Sequence, residues 1–395
     1  MKALSDQNLI QNLYECMPAI NPAVANMETF EFGYLLEPLT PADGWASVKV
    51  EAKVDIEQRV NDSAFYTSIQ LRPKVDSKPV MDAQVLALTQ TLLVGLAAGV
   101  YEPEWIDKHF TFDIRGAFFL HRTQYYSPAI TARLGGKPYR QFEPLQKQFE
   151  GLQAVGYKDF MQANTAVDAC FIDLTLKLVE RLGAPLIIAI AGQTAAGKTE
   201  ITERLTAEFE AADKKVTTLE IDHFLLDRDY REANGIDSLG LEALHQGLFK
   251  ACLQEIRQGK PTSMPRYDFI SATSSHDLNG NLKDGCQMQT IQPADIIFME
   301  GNFPFLDPDI AALIGIKAMY LTEDDVRLKR KWKRDMDYRK KYELYYFLNR
   351  YFREQFIMAE KVYRPQMALC DLIVDTTQAS LWLLPELQTM LETQL

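Results

Sequence analysis

The 395-residue chain is long enough for two hydrophobic cores, and 47% hydrophobic with 24% charged residues is the make-up of an ordinary globular protein. A formal net charge of -12 opposes general binding to nucleic acid or to an anionic membrane. The polar first ten residues lack a secretory pattern, the apolar run 85–100 is too short to span a bilayer, and five scattered cysteines without a C-x-x-C pair fit reduced thiols, so a cytoplasmic protein is expected.

In chain order, residues 45–54 alternate cleanly, with Ala46, Val48, Val50, Ala52 and Val54 on one face, which predicts a half-buried strand. Asn61-Asp62-Ser63 reads as a turn, and 65–71 as a second strand completing an antiparallel hairpin. Residues 80–100 predict a mostly buried helix. Residues 110–115 alternate again, with 117–120 behind them. Gly135-Gly136-Lys137-Pro138 is a loop signal. His109 and His121 fit packed or surface groups better than metal ligands, and Tyr125, Tyr126, Tyr139 and Phe142 fit a core or a pocket wall. A helix over 157–182 leads onward. Residues 1–178 therefore read as an α+β domain of open role, with oligomerisation or substrate gating both compatible.

An apolar run over 186–191 leads into Gly192-Gln193-Thr194-Ala195-Ala196-Gly197-Lys198-Thr199, and a helix-forming sequence follows. Buried strand, glycine turn and helix N-terminus together make a P-loop, in which successive N–H groups point inward at one anion. Lys198 supplies a positive charge for terminal phosphates, and the Thr199 hydroxyl is placed to bind the magnesium carried with them. Further apolar runs at 216–221, 295–299, 317–321 and 372–374 alternate with helical stretches. With 186–191 they predict an α/β fold, a five-stranded parallel sheet covered by helices, over residues 179–395. Ligands of such sheets sit at the carboxyl ends of the strands.

Three motifs fall at those ends. Asp222 closes one strand, where it can orient magnesium or accept a proton from a hydroxyl; a helix N-cap is the plainer use. Glu300 closes another and stands where a Walker-B acid contacts magnesium, with Gly301 letting the backbone pass close by; a solvated strand-end acid is the alternative. The stretch 327–341 carries nine Lys/Arg against Asp335 and Asp337. Arg327, Arg330 and Arg334 share one helix side at i, i+3 and i+7, as a phosphate-covering lid requires, although a solvated face or a nucleic-acid contact uses the same residues. Between them, Tyr267 and Asp268 offer an apolar plate and a hydrogen-bond acceptor for a polyhydroxylated substrate.

In this order the motifs resemble the phosphoribulokinase/uridine kinase family of P-loop kinases over 185–377. The resemblance rests on the loop 192–199, Asp222 with His223 and Phe224, and Tyr267-Asp268-Phe269 after a proline. It is completed by Phe298-Met299-Glu300-Gly301 and by Arg330-x-x-x-Arg334-Asp335. It implies transfer of the ATP γ-phosphoryl group, with Mg2+, to a hydroxyl of a small metabolite. Asp222 resembles the general base, Lys198 and Thr199 the phosphate and magnesium ligands, and Glu300 the strand-end acid. Arg330, Arg334 and Arg339 resemble lid arginines, Asp237 an acceptor-binding aspartate, and Tyr363 with Arg364 the neighbours of adenine.

One departure matters. Where uridine kinases read the pyrimidine with a His and an Arg, this chain has Ala272 and Ser274, with Thr273 between and His276 beyond. Pantothenate, glycerate, ribulose phosphate or another sugar-like acceptor stays open, and the basic stretch favours an anionic one. A homo-oligomer is compatible with the sequence. A nucleotide-regulated scaffold and an RNA-associated NTPase are the rival readings.

Overall fold

A computed structural model describes residues 6–70, 73–113, 118–121, 127–141, 165–322, 327, 330–331, 334, 353–354 and 358–393. Their contacts group the chain into two units, 1–123 with 340–360 and 124–339 with 361–395. Thr165–Leu182, read from sequence as the end of the first domain, packs into the core of the second unit.

The first unit is mainly helical, with a small ladder pairing Lys74–Val75 and Lys78–Pro79 and a hairpin pairing Phe110–Asp113 with Phe118–His121. The alternation read at 110–115 and the run at 117–120 fall on its two strands. The helix expected at 80–100 is present as Ala83–Ala97, largely buried and N-capped by Asp82, whose carboxylate accepts the Gln84 and Val85 N–H groups. His109 is a packed group, its Nδ1 3.0 Å from the Trp105 carbonyl and its ring against Trp105.

Two expectations in this unit are overturned. Residues 45–54 form no strand: Trp45–Ser47 is a 3-10 turn and Lys53–Asn61 is an α-helix. The alternating alanines and valines do not carry the burial, which falls on Trp45 and on Ile56 and Val60 at helical spacing. Residues 65–71 are not the second arm of a hairpin either. Ser63–Ser68 is helical, and Asp62, read as a turn residue, caps it by accepting the Ala64 N–H at 2.9 Å.

The second unit is built on one sheet, with strands β1 Arg140–Gln141, β2 Leu186–Ala191, β3 Val216–Glu220, β6 Ile296–Gly301, β7 Ile316–Leu321, β8 Leu372–Asp375 and β9 Ser380–Leu383. A separate small hairpin pairs β4 Tyr267–Asp268 with β5 Thr273–Ser274. The sheet order is β1-β9-β8-β7-β2-β6-β3. The five strands from β8 to β3 run parallel, as the apolar runs predict, while β9 and β1 add two antiparallel strands at one edge. β2 and β6 are buried along their whole length, which is why both read as unbroken apolar runs.

Helices α1 Thr165–Leu182, α2 Lys198–Ala211, α3 Arg228–Ala233, α4 Gln246–Arg257 and α5 Arg364–Leu369 complete the parts needed for the site. α1 and α2 bury Phe171, Leu174, Leu178, Ile201, Leu205 and Phe209 against Ile188, Ile190, Phe298 and Ala318 of the sheet. Asp168 of α1 pins this layer, accepting hydrogen bonds from Tyr320 Oη of β7 at 2.6 Å and from Arg204 of α2 at 2.7 Å. Among the described residues no helix is long and apolar enough to cross a membrane.

Candidate active site at the carboxyl edge of the sheet

The parallel register sets the site. Glu300 stands beside Ile190 on one side and Glu220 on the other, so the ends of β2, β3 and β6 are level. The Gly192 N–H donates to the Gly301 carbonyl at 3.2 Å, joining the start of the phosphate loop to the end of β6. Space requires the glycine at 192 and is tight at 301. A Cβ on Gly192 would stand 2.3 Å from the Tyr320 carbonyl oxygen, and one on Gly301 would stand 3.0 Å from Ile221 Cβ. The loop then turns through Ala195 and Gly197, both with positive φ, and delivers Lys198 and Thr199 to the first turn of α2. A left-handed alanine costs about 1 kcal/mol or more, strain that is held where backbone amides must converge.

Lys198 Nζ donates to the Gln193 carbonyl at 2.9 Å. Burial lowers the Lys198 pKa, opposed by the negative charges of Glu300 and Asp222. Thr199 Oγ1 donates to Glu300 Oε1 at 3.1 Å, and Thr202, one turn along α2, reaches Oε2 at 3.4 Å. Burial pushes the Glu300 carboxyl up to about 7, with Lys198 pulling the other way. The expected groups 192–199, Asp222 and Glu300 therefore share one edge. Asp222 is not a helix N-cap: it lies inside the 3-10 turn Ile221–Phe224, and Asp227 takes the position before α3.

For magnesium, Thr199, Glu300 and Asp222 offer hard oxygen donors, the set this ion takes when phosphate oxygens and water fill the other positions. Among the described residues no three His, Cys, Asp or Glu side chains gather at metal-binding spacing. Burial pushes the Cys252 thiol up to about 11 and Cys370 to about 12, so both stay protonated.

The β4–β5 hairpin is tied to the Asp222 turn through Tyr267. The Tyr267 N–H donates to His223 Nδ1 at 3.2 Å, and Tyr267 Oη accepts from Arg231 of α3 at 3.1 Å. Asp268 is exposed, and its Oδ1 accepts the Ile270 and Ser271 N–H groups, which draws its carboxyl below the usual range. Ala272 and Ser274 are buried. The Ser274 N–H is held by Asp227 Oδ1 at 2.6 Å, its hydroxyl lies 3.4 Å from His245 Nε2, and Lys283 bridges Asp227 and the Ser274 carbonyl. This wall is closed by its own contacts.

Of the remaining expected residues, Arg327 and Arg330 are buried and Arg334 is partly buried, so the three do not form an exposed row. The Arg334 charge still acts on Lys198, lowering its pKa. Arg339 lies outside the described residues, as do Tyr125, Tyr126 and Phe142. Asp237 sits 3.9 Å from Lys361. Tyr363 is buried, with its hydroxyl 3.4 Å from Asn302 Oδ1, and Arg364 is exposed at the start of α5. An open hollow of about 480 Å³ lined by Lys214, Lys215, Thr217 and Pro293 lies at the opposite, amino-terminal ends of β3 and β6, away from these groups. Sequence reasoning gave no role to Thr202, His223 or Arg231. Thr202 was findable from its i, i+3 spacing to Thr199, whereas Arg231 carries no local signal.

The model of the phosphoribulokinase / uridine kinase family matches residues 187–381. A uridine kinase of Brevibacillus brevis is 30% identical over 161 residues, covering 40% of this chain and 70% of that protein. The chain belongs to the phosphoribulokinase/uridine kinase family. Uridine kinase-like protein 4 of Arabidopsis thaliana is 28% identical over 156 residues, and there the matched part covers 38% of this chain and 30% of that protein. Among solved structures, a phosphoribulokinase from Rhodobacter spheroides shares 17% identity at a TM-score of 0.35, over 49% of this chain and 70% of that one. The family model begins at residue 187, one residue into β2, and ends within β9.

Proposed function

We propose that the chain transfers the γ-phosphoryl group of ATP to a hydroxyl of a small metabolite. The observation that carries this reading is the Thr199–Glu300 pair beside Lys198 and Asp222, at the carboxyl ends of three adjacent parallel strands. In it, residues 192–199 hold the triphosphate by their N–H groups. Asp222 takes the proton from the acceptor hydroxyl as the new bond forms. Lys198 and Arg334 offset the charge on the transferring oxygens, with Arg330 and Arg339 in support. Magnesium, held by Thr199 with Glu300 and Asp222, would neutralise charge on the phosphate oxygens. Loose phosphoryl transfer asks for positioning and charge compensation, which these groups supply.

Tyr267, Asp268 and Asp237 stand on the acceptor side in this reading, and Arg364 on the adenine side. Ala272 and Ser274 stand where uridine kinases have a His and an Arg, so a sugar-like, nucleoside-like or hydroxy-acid acceptor is read, with uridine disfavoured. The enzyme is taken as cytoplasmic.

Incubation with Mg-ATP and a metabolite mixture should yield ADP and one newly phosphorylated compound. Lys198→Ala and Asp222→Asn should each lower that turnover at least ~100-fold while circular dichroism shows the fold intact. Unchanged turnover in either variant would remove the assignment. Nucleotide binding with no phosphorylated product would favour the nucleotide-regulated scaffold instead.

A further inference from the structure

Thr322 and Thr376 stand one position beyond the ends of β7 and β8, level with each other because Leu321 pairs with Asp375. Both are buried, and their hydroxyl oxygens lie 2.6 Å apart. Thr322 Oγ1 also donates to the Ala196 carbonyl of the phosphate loop at 3.0 Å, and Thr376 Oγ1 lies 2.9 Å from the Leu321 carbonyl. Two hydroxyl hydrogens therefore face three contacts. The Leu321 carbonyl already accepts the Thr376 N–H at 2.9 Å, so it is the contact that can go without. The hydrogens then run one way, from Thr376 to Thr322 and from Thr322 to Ala196. Hydroxyls chained in this way strengthen one another as donors.

The Ala196 carbonyl matters because of the peptide it belongs to. The hydrogen-bond ladder of α2 starts one residue later, with the Ile201 N–H on the Gly197 carbonyl, so the helix leaves the 196–197 peptide unheld. Gly197 follows that peptide at a φ of 103°, and a glycine there accepts either orientation of it at little cost. In a trans peptide the C=O and the N–H point opposite ways. A carbonyl drawn to Thr322 therefore turns the Gly197 N–H the other way, and among the described residues that N–H has no partner. A flipped peptide would aim a carbonyl oxygen where the N–H stood, and such an oxygen repels phosphate.

We infer that Thr322, backed by Thr376, is a positioning residue for nucleotide binding: it fixes the 196–197 peptide so that the Gly197 N–H stays turned to the nucleotide phosphate. This rests on the kinase reading above and assigns the set of its phosphate loop to two strand ends outside the loop motif. The end of β7 meets the loop a second time at its start, where Gly192 passes close to the Tyr320 carbonyl oxygen.

The test is calorimetry of Mg-ADP binding to the full chain. Thr322→Val keeps the shape and removes the donor, and should bind Mg-ADP about three- to tenfold more weakly than the wild type. Thr322→Ser keeps the hydroxyl and should stay within about twofold of it. Thr376→Val leaves Thr322 its own hydrogen for Ala196, so it should weaken binding less than Thr322→Val. The double variant should match Thr322→Val alone, because Thr376 acts only through Thr322. Phosphorus-31 NMR of bound Mg-ADP should show the β-phosphorus resonance displaced in Thr322→Val and unmoved in Thr322→Ser, a signature that lost stability alone does not produce. Should Thr322→Val fail to fold by circular dichroism, Thr322→Cys, of similar size and a weak donor, takes its place with the same expectation. Wild-type affinity in that variant, equal weakening in Thr322→Ser, or a double variant weakened by the sum of the two single effects overturns the inference and leaves the kinase reading standing. Failure of the wild type to bind Mg-ADP would instead remove the kinase reading, and this inference with it.

Discussion

The two ends of the proposed site are built from different material. The phosphate end is mostly main chain: a glycine turn, a helix start and two strand ends in register, with side chains added at Lys198, Thr199 and Glu300. The acceptor end is mostly side chain: Tyr267 held between His223 and Arg231, and Ser274 held by Asp227 and His245. A backbone cradle fixes its ligand chemistry wherever it occurs, because every residue brings the same N–H. A side-chain cradle changes its ligand with each substitution. One fold can therefore keep ATP as donor while exchanging acceptors.

That contrast can be broken most severely at Gly192. Gly192→Ala drives a methyl against a main-chain oxygen that cannot swing aside, so Mg-ADP affinity measured by calorimetry should fall at least ~30-fold. Retained affinity would mean that the loop does not depend on this close approach. At the other end, Tyr267→Phe keeps the ring and removes the bond to Arg231. KM for the acceptor should rise about three- to tenfold while Mg-ADP affinity stays unchanged. A change in ADP binding there would erase the separation between the two ends.

Glu300 sharpens the comparison through pH. Its folded carboxyl is raised to about 7 from an ordinary value of 4.5, so the folded state favours the protonated form. The stability this gives is complete below the ordinary value and lost as pH rises through the raised one. Thermal melts of the nucleotide-free protein should therefore fall by on the order of 5 °C between about pH 5 and about pH 8. Glu300→Gln should flatten that slope. An unchanged slope would place the titrating group elsewhere.

Legibility in the sequence follows the same division. β2 and β6 are buried on both faces, so their runs could hardly be read otherwise, and the loop between β2 and α2 is a contiguous motif. Arg231 and Tyr267 lie 36 positions apart and meet only after α3 and the hairpin are placed, so no local pattern announces them. In the first unit the alternation at 45–54 imitates a strand without a pairing partner, and the more informative sign was Asp62 before Ser63, an N-cap read as a turn. Of the two antiparallel edge strands, Arg140–Gln141 escapes notice because it is two residues long and polar.

That short strand has a practical consequence. An excised kinase fragment starting at residue 179, the boundary the motifs suggest, would discard β1 and most of α1. Asp168 would go with them, abandoning the Tyr320 hydroxyl and Arg204, and β9 would become a bare rim open to pairing with other molecules. Such a fragment should aggregate, whereas one cut near 124 would keep its rim sealed.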